Sequence, residues 1–219
     1  MKFEHTAVWG FEHALRGMRN PMNSWDKSDS KTNPETGEYI IGENDMKLAK
    51  KLIKAGSEHR KFLRQIFVSV DITAPLYYWK EADTYKVGTA SNSCSTMHKL
   101  ASTPITIDCF ETDDYKEKVI GNMKPAAIIK YCEDLRLKYL ETKNEEYWRE
   151  LIRWLPESWL QTRTITMNYE NILNMYHQRK NHRLNEWSGI DNPSKPNFIA
   201  WLKTLPYAKE FIIGDDENE

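Results

Sequence analysis

Residues 66–96 read IFVSVDITAPLYYWKEADTYKVGTASNSCST, and three local patterns follow one another in that stretch. Ile66, Val68, Val70 and Ile72 alternate with Phe67, Ser69, Asp71 and Thr73. A period of two is that of a strand with one buried face. Ala74-Pro75 ends the strand, because proline has no N–H for a ladder and its fixed φ suits the first turn of a helix. Leu76 to Lys86 is predicted to be that helix. Gly88 to Thr96 then offers small side chains, hydroxyls and amides with little to bury. Such a run is either an ordinary surface loop or a rim of hydrogen-bonding groups around a polar ligand.

Upstream, Thr6 to Trp9 suggests a short strand and Phe11 to Arg19 a helix closed by Asn20-Pro21. Asn23 to Glu43, rich in Ser, Asp, Asn, Gly and Pro, reads as a loop or flap. Asn44 is expected to cap a helix from Asp45 to Ala55, with Leu48 and Leu52 on one face and Gly56 placed to stop it. Ser57 to Arg64 reads as a short connecting helix, basic on one side. Downstream, Pro104 to Phe110 could be a brief strand or extended piece. Pro125 opens a helix with Ile128, Cys132, Leu135 and Tyr139 in one stripe. Asn144 caps the next, with Trp148, Leu151, Trp154 and Leu155 on its apolar side. Asn192-Pro193 breaks the chain before a last helix holding Phe198, Trp201, Leu202 and Leu205. The sum is a helix-dominated α+β chain with a small sheet.

At 219 residues the chain fits one domain, residues 1–214, followed by an acidic tail, Asp215 to Glu219, expected to be disordered. Eight Trp and eleven Tyr support a folded core. A net charge of −1 gives no general field for nucleic acid or an anionic membrane, and no apolar run is long enough to span a bilayer. No signal peptide opens the chain, so the expected compartment is the cytoplasm. Three widely spaced cysteines, Cys94, Cys109 and Cys132, give neither a disulfide framework nor a zinc pattern, and no metal site is expected. Cys132 falls on an apolar stripe. Cys94 lies in the polar run, where it is a small loop residue or, given a nearby cation or helix N-terminus, a nucleophile.

Strand, Ala-Pro-aliphatic, helix and polar run resemble the central segment of the flavin-dependent thymidylate synthases, the alternative class that methylates dUMP with a reduced flavin. That family carries R-H-R-x-x-S-x-N-E-x-S-x-R-Y at this place. Laid without gaps from the Ala-Pro pair, R-H-R falls on Thr84, Tyr85 and Lys86. The first serine falls on Thr89, Asn-Glu on Ser91 and Asn92, the second serine on Cys94, and Arg-Tyr on Thr96 and Met97. A second segment, Leu155 to Trp187, matches the family's Leu-Pro at Leu155-Pro156, then its Asn, its second Asn or His, and its Arg at Asn168, Asn174 and Arg179. On the residues alone, Asn168 is a helix cap and the other two are solvated polar groups.

The resemblance implies a flavin-dependent thymidylate synthase-like fold whose small sheet is mostly antiparallel. It implies FAD as cofactor, held by Lys86, Thr89, Asn92, Asn168, Asn174 and Arg179. The substrate is dUMP or a variant pyrimidine nucleotide, met by Glu81, Asn92, Ser93, Cys94, Ser95 and Arg179, with Arg179 and Cys94 nearest the chemistry. Methylenetetrahydrofolate is the implied one-carbon donor, NADPH the reductant and a homotetramer the assembly. Lys99 or Arg163 could stand in for the motif arginines that Thr84 and Thr96 replace. Three readings follow: the enzyme itself, a member of the fold that binds nucleotide or flavin without turnover, and an unrelated α+β binding domain.

Overall fold

In the computed structural model, which describes residues 1–112 and 124–214, the alternating stretch forms β4 (Phe67–Pro75). Val68, Val70, Ile72 and Ala74 are buried, and Phe67, Ser69, Asp71 and Thr73 are not. β4 belongs to a four-stranded sheet in the order β1-β4-β6-β5, with β1 at Lys2–Trp9, β5 at Ala90–Ser93 and β6 at Leu160–Asn168. His5 Nδ1 lies 3.0 Å from the Asp71 carboxylate and Trp9 stacks on Phe67, so β1 runs antiparallel to β4. The hydroxyls of Thr73 and Thr162 are 2.7 Å apart and those of Ser69 and Thr166 are 3.3 Å apart. Those pairs set β4 antiparallel to β6. A separate hairpin pairs β2 (Lys31–Thr32) with β3 (Tyr39–Ile40) inside the stretch expected to be a loop or flap. The tail from Asp215 to Glu219 lies outside the described residues.

Two strands differ from the sequence expectation, each for a physical reason. β5 lies inside the polar run and all four of its residues are exposed. Pairing at a sheet edge uses backbone groups, so no apolar pattern announces it. β6 was not anticipated because two of its inward positions, Gln161 and Arg163, are polar and hide the alternation with Thr162, Thr164 and Thr166. Helix bounds shift as well. α3 (Leu76–Ala82) stops short of Lys86, because Thr84 donates to the Glu81 carbonyl from its N–H (3.0 Å) and its hydroxyl (2.7 Å). α2 (Glu43–Lys54) is not capped by Asn44, which sits in its first turn. The Asp29 carboxylate accepts from the N–H groups of Asn44 (2.8 Å) and Asp45 (3.1 Å) and takes over that function. Gly56, at φ +105°, ends α2 as expected.

The described chain divides into two compact units, with boundaries inside β4 and β6. One holds residues 3–71, 86–91 and the chain from Ile165 onward. Its helices are α1 (Phe11–Met18), α2, α7 (Tyr169–Arg179), α8 (Asn185–Ser188) and α9 (Phe198–Leu202). Aromatic rings fill its core: Phe11 meets Tyr169 and Tyr207 edge-on, Phe62 meets Phe211, and Trp187 meets Phe198. Such pairs are worth about 0.5–1.5 kcal/mol beyond the area they bury. Gly10, at φ +97°, precedes α1 where a Cβ would come within 2.2 Å of the Gln65 carbonyl oxygen.

The other unit holds residues 1–2, 72–85 and 92–164. Here α5 (Pro125–Thr142) and α6 (Glu145–Trp154) pack over Leu100, Ile105 and Phe110 through Cys132, Leu135 and Leu151. Asn144 caps α6 as predicted, accepting from Glu146 N–H at 2.9 Å. Burial pushes the Cys132 thiol up, which suits an inert core position. The predicted apolar stripes are only partly inward: Ile128 is 38% exposed and Trp154 57%. α4 (Thr96–Lys99) follows β5, and Pro104 to Phe110 is extended at Thr106 and at Phe110, which bridges to Trp159, around a helical turn at Ile107–Cys109.

Candidate functional site

The start of α7 grips the polar run. Asn168 is its N-cap, accepting from Asn171 N–H at 3.0 Å, while Asn171 Oδ1 accepts from Asn168 N–H at 3.2 Å. Each side chain thus satisfies the other's backbone, leaving the Asn171 amide to donate from Nδ2 to the Val87 carbonyl at 2.7 Å. Gly88 follows at φ +74°, its Cβ position 3.0 Å from Asn168 Nδ2. A side chain there would press on the cap, so glycine lets the loop lie against the helix start. Next, the Thr89 hydroxyl oxygen is buried without a hydrogen-bond partner among the described residues. An orphaned buried hydroxyl costs about 1–3 kcal/mol, which a ligand atom would recover. Lys86 is exposed, and its carbonyl accepts from Thr89 N–H at 3.3 Å.

Further along α7, Asn174 Oδ1 accepts from Arg60 Nη2 at 3.0 Å. Arg60 Nε also donates to Glu170 at 3.3 Å, and Arg64 donates to the same carboxylate from Nε and from Nη2. Glu170 is 8% exposed, so two guanidiniums balance one buried charge and the cluster keeps a net positive charge. Arg179 stands on another face of the helix, its guanidinium 5.1 Å above the buried Trp187 ring. The spacing of Asn174 and Arg179 rules out a single stripe, and the side chains accordingly diverge.

The other predicted site residues lie in the second unit. Asn92 and Ser93 close the exposed edge strand β5. Cys94 is exposed; its N–H donates to the Thr162 carbonyl and its carbonyl accepts from Gln161 Nε2, both at 2.9 Å. Ser95 caps α4, its oxygen accepting from His98 N–H at 3.2 Å. The Glu81 carbonyl closes α3. Arg163 donates from Nε to Gln161 Oε1 (2.9 Å) and from Nη1 to Asp83 (2.7 Å), with its guanidinium 4.4 Å from the Trp79 ring centroid. These partners hold Arg163 away from the role of a mobile phosphate cation. Lys99 ends α4.

A cleft of about 590 Å³ opens in the first-described unit among Met18, Met22, Leu48, Leu52, Phe62 and Gln65. None of the candidate cofactor-binding, substrate-binding or catalytic residues lines it.

No family model and no curated protein matches the chain. Solved structures do. Thymidylate Synthase X (ThyX) from Helicobacter pylori, crystallised with FAD and dUMP, is similar at TM-score 0.72 over 98% of each chain, with 16% identity. A second structure, flavin-dependent thymidylate synthase ThyX from the same organism complexed with FAD and dUMP, gives TM-score 0.67 and 15% identity over 98% of this chain and 99% of that one. This chain has the ThyX fold.

The chain is thus a helix-rich α+β fold with a small antiparallel sheet, and the likeness read from the sequence holds at the level of the fold. Sequence reasoning missed Asn171, although its place three residues after a predicted cap is that of a capping box. It also missed the Arg60–Glu170–Arg64 cluster and Gln161. The basic face of residues 57–64 was legible, but its partner, more than a hundred residues away, was not.

Proposed function

We propose that the chain binds FAD and a pyrimidine nucleotide, dUMP or a variant of it, and reductively methylates the pyrimidine using methylenetetrahydrofolate. The observation that carries this reading is the buried, unpartnered Thr89 hydroxyl between a glycine turn and an asparagine-capped helix, on a chain with the ThyX fold. Reduced FAD, when bound, supplies a hydride to the transferred carbon. The chain's own residues hold and orient. Thr89, Asn168 and Asn174, with Lys86 and Asn92, hydrogen-bond the flavin, and Arg60 fixes the amide of Asn174 so that its NH₂ group is presented. Glu81, Asn92, Ser93, Cys94 and Ser95 meet the nucleotide. Arg179 stabilises negative charge as it develops on the pyrimidine, the task to which a guanidinium is suited. The assembly is a homotetramer acting in the cytoplasm, with NADPH as reductant.

A second reading is favoured by one specific observation. Thr84, at a motif-arginine position, turns its hydroxyl onto Glu81, and Arg163 is held by Asp83 and Gln161. Two lost charge-assisted hydrogen bonds at roughly 1.5–3 kcal/mol each weaken a phosphate by about a hundred- to ten-thousand-fold. On that reading the chain binds its ligands without turnover. Tritium release from 5-labelled dUMP, with the folate, FAD and NADPH present, decides. Release that is lost in Arg179→Ala is the expected outcome; bound flavin without release selects the second reading.

A further inference from the structure

The strand β5 pairs with β6 and ends at Ser93, and the next peptide, Cys94, is held in part by a side chain, Gln161, to which the resemblance gives no role. We propose that Gln161 and Arg163 are positioning residues for the segment 92–95, Arg163 acting through Gln161. The proposal rests on the reading of 92–95 as nucleotide-binding, and it names what holds those residues in place.

β5 is a fully exposed edge strand, so it is held from the β6 side alone. Where it ends, the Cys94 N–H donates to the Thr162 carbonyl, and the Cys94 carbonyl accepts from Gln161 Nε2. A glutamine amide has one accepting and one donating end, and rotating it by half a turn exchanges them. Arg163 removes that choice. A guanidinium only donates, so Arg163 Nε at 2.9 Å requires the oxygen of Gln161 on its side and therefore the NH₂ group facing Cys94. Arg163 is itself fixed by Asp83 at 2.7 Å and by the Trp79 ring beneath its plane. Trp79 is fixed in turn, its Nε1 donating to the carbonyls of Ala74 (3.1 Å) and Gln161 (3.0 Å). Gln161 is only 9% exposed, so water does not readily replace either partner. Without Arg163 the Gln161 oxygen loses its donor, the amide turns more readily and holds the Cys94 carbonyl for less of the time, leaving the N–H bond to Thr162 as the remaining tie.

Amide hydrogen exchange, read by mass spectrometry on peptides covering 90–96, tests this in the full chain. Arg163→Met keeps an apolar side chain on Trp79 and removes the donor; Gln161→Leu removes the amide. Each is expected to speed exchange at 90–96 by about tenfold, with α5 and α6 peptides unchanged. The double variant is expected to exchange no faster than Gln161→Leu, because Arg163 has nothing left to orient. Arg163→Lys, which can still donate to Gln161, is expected to restore most of the protection. If the truncations fail to fold, Gln161→Glu keeps the Arg163 partner but faces Cys94 with an acceptor, and the same local rise is expected. Wild-type exchange at 90–96, multiplicative effects in the double variant, or acceleration spread equally through α5 and α6 would overturn the proposal. dUMP affinity should weaken alongside; an unchanged affinity in variants with faster exchange overturns it too. A wild-type chain that does not bind dUMP sinks the nucleotide reading itself, while the exchange data still decide the anchor.

Discussion

Gly88 and Thr89 are adjacent, yet substitutions there should act in opposite directions. Gly88→Ala places a Cβ at left-handed φ and within 3.0 Å of Asn168 Nδ2. The backbone alone costs about 1–2 kcal/mol, so the melting temperature should fall by several degrees and FAD should bind more weakly. A melt unchanged from wild type would contradict the close approach. Thr89→Val removes a buried hydroxyl that has no partner among the described residues and keeps its shape. The ligand-free protein should be as stable or more stable, because no hydrogen bond is lost, while FAD or dUMP affinity falls. Thermal melts with and without ligand check both signs. The glycine was visible in the sequence as part of a polar run; the orphaned hydroxyl was not, since burial of one oxygen depends on neighbours from distant segments.

At the scale of elements, Asn144 and Asn168 both cap helices, and of these two only Asn168 adjoins the proposed site. Asn144→Ala and Asn168→Ala should each cost about 1 kcal/mol in stability. Only Asn168→Ala should also weaken flavin binding, because the same cap supports Asn171 and its hold on the Val87 carbonyl. Titration of both variants with FAD separates the outcomes; equal affinities would remove Asn168 from the site. Caps of this kind were legible, since Asn before an amphipathic run has a local cause. The Asn44 cap failed because Asp29, fifteen residues earlier, supplies a carboxylate to the same N–H groups. β4 was legible through its strict alternation. β6 was not, because Gln161 and Arg163 place polar side chains where the alternation needs apolar ones.

Across the molecule, the segment expected to be a loop or flap is tied down by a fully buried carboxylate. Asp45 accepts from Arg19 Nε at 2.5 Å, from the hydroxyls of Ser28 (2.7 Å) and Ser30 (2.5 Å), and from Ser30 N–H (3.2 Å). Burial alone would raise its pKa, but the Ser30, Ser28 and Arg19 contacts outweigh it and hold the carboxyl below its usual range. A carboxyl lowered in the folded state stabilises fully above its unfolded value, near 4, and loses that contribution as pH falls through the lower folded value. Acid should therefore loosen residues 23–43 only below about pH 4. Asp45→Asn should cost roughly 3–5 kcal/mol at neutral pH, since it leaves Arg19 buried without its counter-ion. Melts from pH 3 to 7 check both, and a variant matching wild type at pH 7 would contradict the ion pair. Loop composition alone gave no hint of this buried centre.

The claim on which the rest depends is that a chain with the ThyX fold still takes a flavin despite its altered motif. The direct measurement is flavin retained by the purified, FAD-reconstituted protein after gel filtration, read by visible absorbance against protein concentration. The account predicts a co-eluting flavin band at about one flavin per chain, reduced in Asn168→Ala and in Thr89→Val. Colourless protein that retains no FAD, with or without dUMP, would contradict it.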